Sequence, residues 1–231
     1  MGKATGTKLE QARVVGRGKG AIDRIASRRG RGDDEPNIEL AQALAADGDG
    51  EGLAEIAAGL AEADPAVASD CVKVLYEVGY RDPSLIAPYV PAFVAFLGSR
   101  NNRLAWGAAI ALAQAAPLRA DYLFGELDAI ESALERGSVI TVDNCVSILA
   151  GIAAAKPEYR EKAAPILLRH LAECRPKDLP QHAERASVCM DGPFASRFAA
   201  VLDERRPELS EAQRKRLDKL SSPRRTPRRS P

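Results

Sequence analysis

DCVKVLYEV (residues 70–78) returns as GAAIALAQA (107–115) and again as NCVSILAGI (144–152), each copy 37 residues after the last. In this register Cys71, Ala108 and Cys145 coincide, as do Leu75, Leu112 and Leu149, and Val78, Ala115 and Ile152. Steps of four and then three residues place these positions on one face of an α-helix. The second half of the period obeys the same shift. Phe93, Ile130 and Leu167 align, Leu97, Leu134 and Leu171 align, and Tyr122 meets Tyr159. Backward, Leu53, Ile56 and Leu60 fall over Val90, Phe93 and Leu97, so the repeat begins before residue 64. A single helix pair of this length cannot bury its own apolar stripes, whereas stacked pairs bury each other's. The spacing therefore predicts an all-α fold, an α-solenoid of about four to five stacked antiparallel helix pairs with a period of about 37 residues.

Punctuation supports the same reading. "DGDG", "ADP", "YRDP", "GSRNN", "PLRAD", "RGSVITVD" and "CRPKD" separate the helical stretches. Asp, Ser or Asn before a helix and Gly or Pro around its ends are cap chemistry. No stretch alternates convincingly at period two. Toward the C-terminus "AERASVCM", "FASRFAAVLDERR" and "SEAQRKRLDKL" stay helical while the register drifts and charge rises, as in a terminal capping repeat.

The net charge of +1 conceals an uneven layout. Residues 1–32 carry nine Lys/Arg against two Asp/Glu, residues 204–231 carry ten against four, and the stretch between carries fourteen against twenty-six. An acidic body with two basic ends has ends suited to a polyanion or to folding back on the body itself. The expected organisation is a Gly/Arg-rich, largely disordered arm over 1–35, a helical-repeat domain over 36–220, and a disordered basic tail over 221–231. A short apolar pattern in the arm (Val14, Val15, Ile22, Ile25) suits a small docking helix. "GRGKG" is too short, and lacks the preceding strand, for a phosphate-binding loop.

No run of 18 apolar residues is present, which predicts no membrane span. "MGKATGTKLEQ" lacks an apolar core, which predicts no export signal and a cytoplasmic chain, nuclear in a eukaryotic cell. Cys71, Cys145, Cys174 and Cys189 then read as reduced, mostly packed thiols.

The stretches "DPAVASDCVKVLYEVG" and "LIAPYVPAFVAFLGSRNNRLAWGAAIALAQ" resemble HEAT units of the HEAT/armadillo superfamily over about residues 37–205. A small-residue first helix, a short turn and a Leu/Val/Phe-rich second helix carry the resemblance. It implies a scaffold that binds a protein or a peptide helix, with its second helices lining the concave surface. The His-Glu metal motifs of HEAT-type hydroxylases are absent, so no catalytic residue, cofactor or metal is expected.

The candidate partner-binding residues are Tyr89, Phe96, Arg103, Trp106, Glu126, Arg169 and His170. Most lie one stripe away from the core, on a line through Tyr89, Ala92, Phe96, Glu126, Ala129, Ala133, Ala163, Ile166 and His170. That line offers an apolar strip to an amphipathic helix, or packs against neighbouring pairs. Trp106, the one tryptophan, sits between the core and polar sectors of its helix, where the repeat has Ser69 and Asp143. It reads first as filler of an inter-repeat seam and second as a partner anchor. His170 and Cys174 stand four apart on one helix, with His182 and Cys189 beyond. The spread of the last two favours ordinary histidines and packed thiols over a zinc site. Asp143 reads as a helix-start cap, and "SRNNR" as turn and cap chemistry rather than a recognition loop.

The alternative reading is nucleic-acid association through the basic ends, by Arg28, Arg29, Arg31, Arg224, Arg225, Arg228 and Arg229. Ser222-Pro-Arg-Arg and Thr226-Pro-Arg-Arg resemble units of histone-type tails. A third class, an enzyme like the HEAT-type DNA glycosylases, requires Trp106, Arg103 and an acidic side chain to meet in one open cleft.

Overall fold

The computed structural model describes residues 20–221, with helices and no strand among them. The chain divides into two compact units at Leu85/Ile86.

The first unit holds α1 (Glu35–Asp47), α2 (Gly50–Ala58) and α3 (Pro65–Gly79). The starts of α2 and α3 are each set by a local residue. The Asp49 side chain accepts from the Gly52 N–H, and Asp64 accepts from Ala66 N–H ahead of Pro65 at the first helical position. Between α1 and α2 the chain reverses through Gly48 at φ 59°, a left-handed position that glycine takes without strain. Helix α3 packs on both α1 and α2. Its buried face includes Cys71, Leu75 and Val78, and the facing α2 buries Leu53 and Ile56.

The arm expected over residues 1–35 is corrected from residue 20 onward. Two short 3-10 turns, Ile22–Arg24 and Ser27–Arg29, lie on this unit, with Ile25 fully buried and Ala26 nearly so. Polar side chains of the acidic body hold the segment by its backbone. Glu55 accepts from Ala21 N–H at 2.7 Å, Asn37 from Ala26 N–H at 2.9 Å, and Asp70 from Ser27 N–H at 2.7 Å. The apolar Ile22 and Ile25 suit docking, whereas the polar partners come from residues 37–70 and leave no mark in the segment itself. Val14 and Val15 lie outside the described residues.

A short turn, α4 (Pro83–Ile86), marks the divide. The second unit holds α5 (Val90–Phe96), α6 (Asn102–Ala115), α7 (Ala120–Phe124), α8 (Leu127–Arg136), α9 (Val139–Ala155), α10 (Pro157–Glu173), α11 (Leu179–Ala186), α12 (Ala195–Arg205) and α13 (Glu211–Ser221). Helices one period apart stack: α6 on α9, α9 on α11, α11 on α13, and α10 on α12. Antiparallel partners pack between them, α5 with α6, α8 with α9 and α10 with α9. Of the positions aligned by the 37-residue shift in this unit, Ala108, Cys145, Leu112, Leu149, Ala115, Ile152, Phe93, Ile130, Leu167, Leu97, Leu134 and Leu171 lie in the core, while Tyr122 and Tyr159 are half-buried. One further step puts His182 in the slot of Cys145 and Cys189 in the slot of Ile152, and both are buried. The register breaks in α12 and the turn after it, where Phe198 and Leu202 are buried and Glu204 and Glu208 face outward.

Helix α9 starts earlier than its sequence suggests. "VITVD", taken as a break, is its first turn and more. Ser138 caps it by accepting from Thr141 N–H, and Thr141 is buried. The Ser138 cap and the burial of Thr141 offset the weak helix propensity of a β-branched run whose Val139 and Ile140 stay exposed.

Candidate functional site

Two cavities open on the second unit, and they are the same cavity one repeat apart. The smaller, about 230 Å³, is lined by Leu97, Asn102, Ala105, Ala129, Ser132 and Ala133 among others. Adding 37 to each number gives Leu134, Val139, Val142, Ile166, Arg169 and His170, which line the larger cavity of about 570 Å³. Each therefore forms where the end of a second helix meets the start of the next first helix: the residues just after α5 with α6, α8 and the start of α9 around one, α8, α9, α10 and α11 around the other.

The walls differ in chemistry. Ser99, Asn102, Ser132, Ser138, Thr141 and Arg136 make the smaller groove polar. The larger adds Glu131, Glu135, Glu173 and Asp178 to Arg169, Arg175 and His170. Both arginines are engaged: Arg169 pairs with Glu131, and Arg175 with Asp178 at 2.6 Å. Glu135 and Glu173 are exposed and belong to no ion pair among those of the described residues, so the rim carries net negative charge.

At the floor of the larger groove the buried ring of His182 bridges two partners. Its Nε2 lies 2.8 Å from Asp143 Oδ1 and its Nδ1 lies 2.9 Å from Nε2 of His170. Gln181 also donates to Asp143, and Arg185 donates to the Asp143 carbonyl. Burial and the adjacent His182 hold His170 down at about 4, so it is neutral at pH 7. Cys174 Sγ completes a group of three potential donor atoms within 4.8 Å of one another. Burial raises the Cys174 thiol, although the Arg205 guanidinium opposes the shift.

This geometry corrects two readings. Asp143 is not a helix-start cap, because Ser138 fills that role and Asp143 stands more than a turn inside α9. His182, read as an ordinary histidine, is a buried ring in a core slot with polar partners on both nitrogens. The 37-residue register carries a signal for it: where two repeats hold Ala108 and Cys145, a histidine requires buried polar partners. Cys189 lies apart from the group, bonded to the Ala186 carbonyl, and burial pushes it up to about 11. Cys71 and Cys145 are likewise buried and pushed up to about 12.

Of the seven candidate partner-binding residues, Arg169 and His170 line the larger groove. Tyr89, Phe96, Arg103, Trp106 and Glu126 line neither groove. Trp106, Tyr89, Phe96 and Glu126 are half-buried and Arg103 is exposed. The continuous apolar strip is also corrected. Ala133, Ala163 and Ile166 are buried, so the stripe is interrupted into separate grooves by the helices that follow. Asn101 of "SRNNR" caps α6 by accepting from Arg103 N–H at 3.0 Å.

The basic ends divide similarly. Arg29 pairs with Glu39 at 3.9 Å and Arg31 with Asp33 at 2.8 Å, while Arg28 is exposed. Arg224, Arg225, Arg228, Arg229, Ser222 and Thr226 lie outside the described residues. Among the described residues no helix is long and apolar enough to cross a membrane.

No family model matches the chain, and no curated protein matches it by sequence. Its fold has clear counterparts. A designed armadillo repeat protein in complex with the peptide (KR)4 superposes with a TM-score of 0.61 at 15% identity, covering 93% of this chain and 98% of its own. Computationally designed armadillo repeat proteins for modular peptide recognition give 0.63 at 17% identity, over 87% of this chain and 89% of theirs. Kap121p bound to Pho4p gives 0.59 at 18% identity, over 82% of this chain but only 21% of the karyopherin.

Proposed function

We propose that this chain, an α-solenoid of the armadillo/HEAT-like type, is a non-enzymatic scaffold that holds an extended protein segment along its row of inter-repeat grooves. One observation carries the reading: the two cavities recur at the same repeat register, lined by residues 37 apart. A periodic row of grooves suits a ligand that is itself periodic, an extended chain presenting alternate side chains. The unpaired Glu135 and Glu173 favour Lys or Arg at the ligand position over the larger groove. The peptide-binding designs with the same fold support this class of ligand.

The test uses a random twelve-residue peptide library displayed against the full chain. Selected peptides should carry a basic residue. Ser132→Trp fills the smaller groove and Arg169→Trp, its repeat equivalent, crowds the larger. Each should weaken a selected peptide by at least about tenfold, roughly 1.4 kcal/mol. Peptides indifferent to both substitutions would refute the assignment, as would binding that depends on residues 222–231 and on nucleic acid instead.

A further inference from the structure

Among the positions at which the larger groove differs from its predecessor, three introduce metal-donor side chains. Ala133, Gly137 and Cys145 of one repeat are replaced, 37 residues on, by His170, Cys174 and His182. The turn itself is unchanged. Gly137 N–H donates to the Ala133 carbonyl at 2.9 Å, and Cys174 N–H donates to the His170 carbonyl at 2.8 Å. A common backbone thus presents small groups in one repeat and two imidazoles with a thiol in the next.

We propose that His170, Cys174 and His182 form a zinc-binding site, with its fourth coordination position open to the larger groove. The three donor atoms already lie within 4.8 Å of one another. His170 Nε2 and His182 Nδ1 face each other at 2.9 Å. A tetrahedral Zn²⁺ with Zn–N of about 2.0–2.1 Å separates two ligand nitrogens by about 3.4 Å, so opening the pair by a few tenths of an ångström seats the ion. Behind His182, Asp143 accepts from Nε2–H at 2.8 Å. That bond leaves Nδ1 as the lone-pair nitrogen and aims it at the ion, the carboxylate–histidine arrangement that orients metal ligands.

The thiol is positioned just as firmly. Arg205, itself buried, donates to the carbonyls of Leu171, Ala172 and Cys174 at 2.7–2.9 Å. It replaces the apolar Leu168 of the preceding repeat and closes the end of α10 on which Cys174 stands. On binding, the Cys174 thiol yields its proton to solvent, and His170 exchanges its Nε2 proton for one on Nδ1. Two nitrogens and a thiolate select Zn²⁺ or Co²⁺ over Mg²⁺ and Ca²⁺, which prefer oxygen. Three protein ligands leave a place for water or for a donor from a bound segment. The site stands on its own residues and holds whether or not the grooves take a peptide.

The experiment is a Co²⁺ titration of the full chain, metal-free and reduced, followed by absorption. The expected result is one equivalent bound, with the visible bands of a tetrahedral ion and a thiolate-to-cobalt charge-transfer band, both abolished by Zn²⁺. Cys174→Ser, a change at a half-buried position that spares the core, should remove the charge-transfer band. Asp143→Asn should keep the band and weaken affinity about 10–100-fold, the effect of losing an orienting partner. The spectrum of hexaaqua cobalt in the wild type would overturn the site, and so would a charge-transfer band that survives Cys174→Ser.

Discussion

Replacing Asp70 with alanine should release residues 20–31 from the first unit. Asp70 is nearly buried and its two oxygens serve different partners. Oδ1 accepts from Asn37 Nδ2 at 2.8 Å and Oδ2 from Ser27 N–H at 2.7 Å. Asn37, fully buried, in turn accepts from Ala26 N–H at 2.9 Å. Each bond to a carboxylate contributes about 1.5–3 kcal/mol, and Asp70→Ala leaves two donors without their acceptor. The expected loss is about 3–5 kcal/mol, concentrated in the opening of this segment rather than spread over the chain. Arg24, Arg28 and Arg29 are exposed trypsin sites within it. Under conditions where the segment opens and closes faster than it is cut, cleavage there should accelerate at least about a hundredfold, since every 1.4 kcal/mol is a factor of ten. Asp33→Ala, which removes only exposed bonds, to Arg31 and to the Glu35 N–H, should leave the rate within about twofold of wild type. Cleavage of Asp70→Ala within about twofold of wild type would refute the idea that this buried network holds the segment.

Three further outcomes follow from individual side chains. Arg205→Leu should cost about 2–4 kcal/mol in urea unfolding, because three carbonyls at the end of α10 lose their donor. Ser138→Ala should cost about 1 kcal/mol as an ordinary lost cap, and Asp143→Ala should not mimic it by fraying the first turn of α9 in amide exchange. Burial pushes Glu77 up, but Lys73 at 2.9 Å and Arg81 at 3.1 Å outweigh it and hold the carboxyl below its ordinary value. A depressed folded value means the unfolded chain binds the proton more readily. The contribution is therefore complete above the ordinary glutamate value of about 4.3 and is lost as pH falls through the folded one. The difference in urea midpoint between wild type and Glu77→Gln should thus be present at pH 7 and shrink in acid.

The core of the fold was legible because burial in a repeat protein is itself periodic. Leu112 and Leu149 could be placed from Leu75 alone, and the structure buries all three. What escaped were features made by contacts across periods. Ala26 and Ser27 look like loop residues until Asn37 and Asp70 supply acceptors for their N–H groups. Asp143 sits near a Ser and a Thr that suggest a helix start, and its true partner, His182, is one period away. The grooves themselves were hidden, since a cavity depends on what the next first helix leaves uncovered. Their register was nevertheless in the sequence: the small residues Ala133 and Gly137 and the bulkier His170 and Cys174 occupy the same places. Trp106, conspicuous for its size, proved half-buried and outside both grooves.

The proposed scaffold requires one extended segment to cross both grooves in order. A photo-crosslinking amino acid placed at position 132 in one variant and at position 169 in another, each bound to the same selected peptide, tests it most directly. Mass spectrometry should map the two crosslinks to different peptide residues, one toward each end, with a Lys or Arg adjacent to the crosslink from position 169. Crosslinks from both positions to a single peptide residue, or from one position alone, would contradict it.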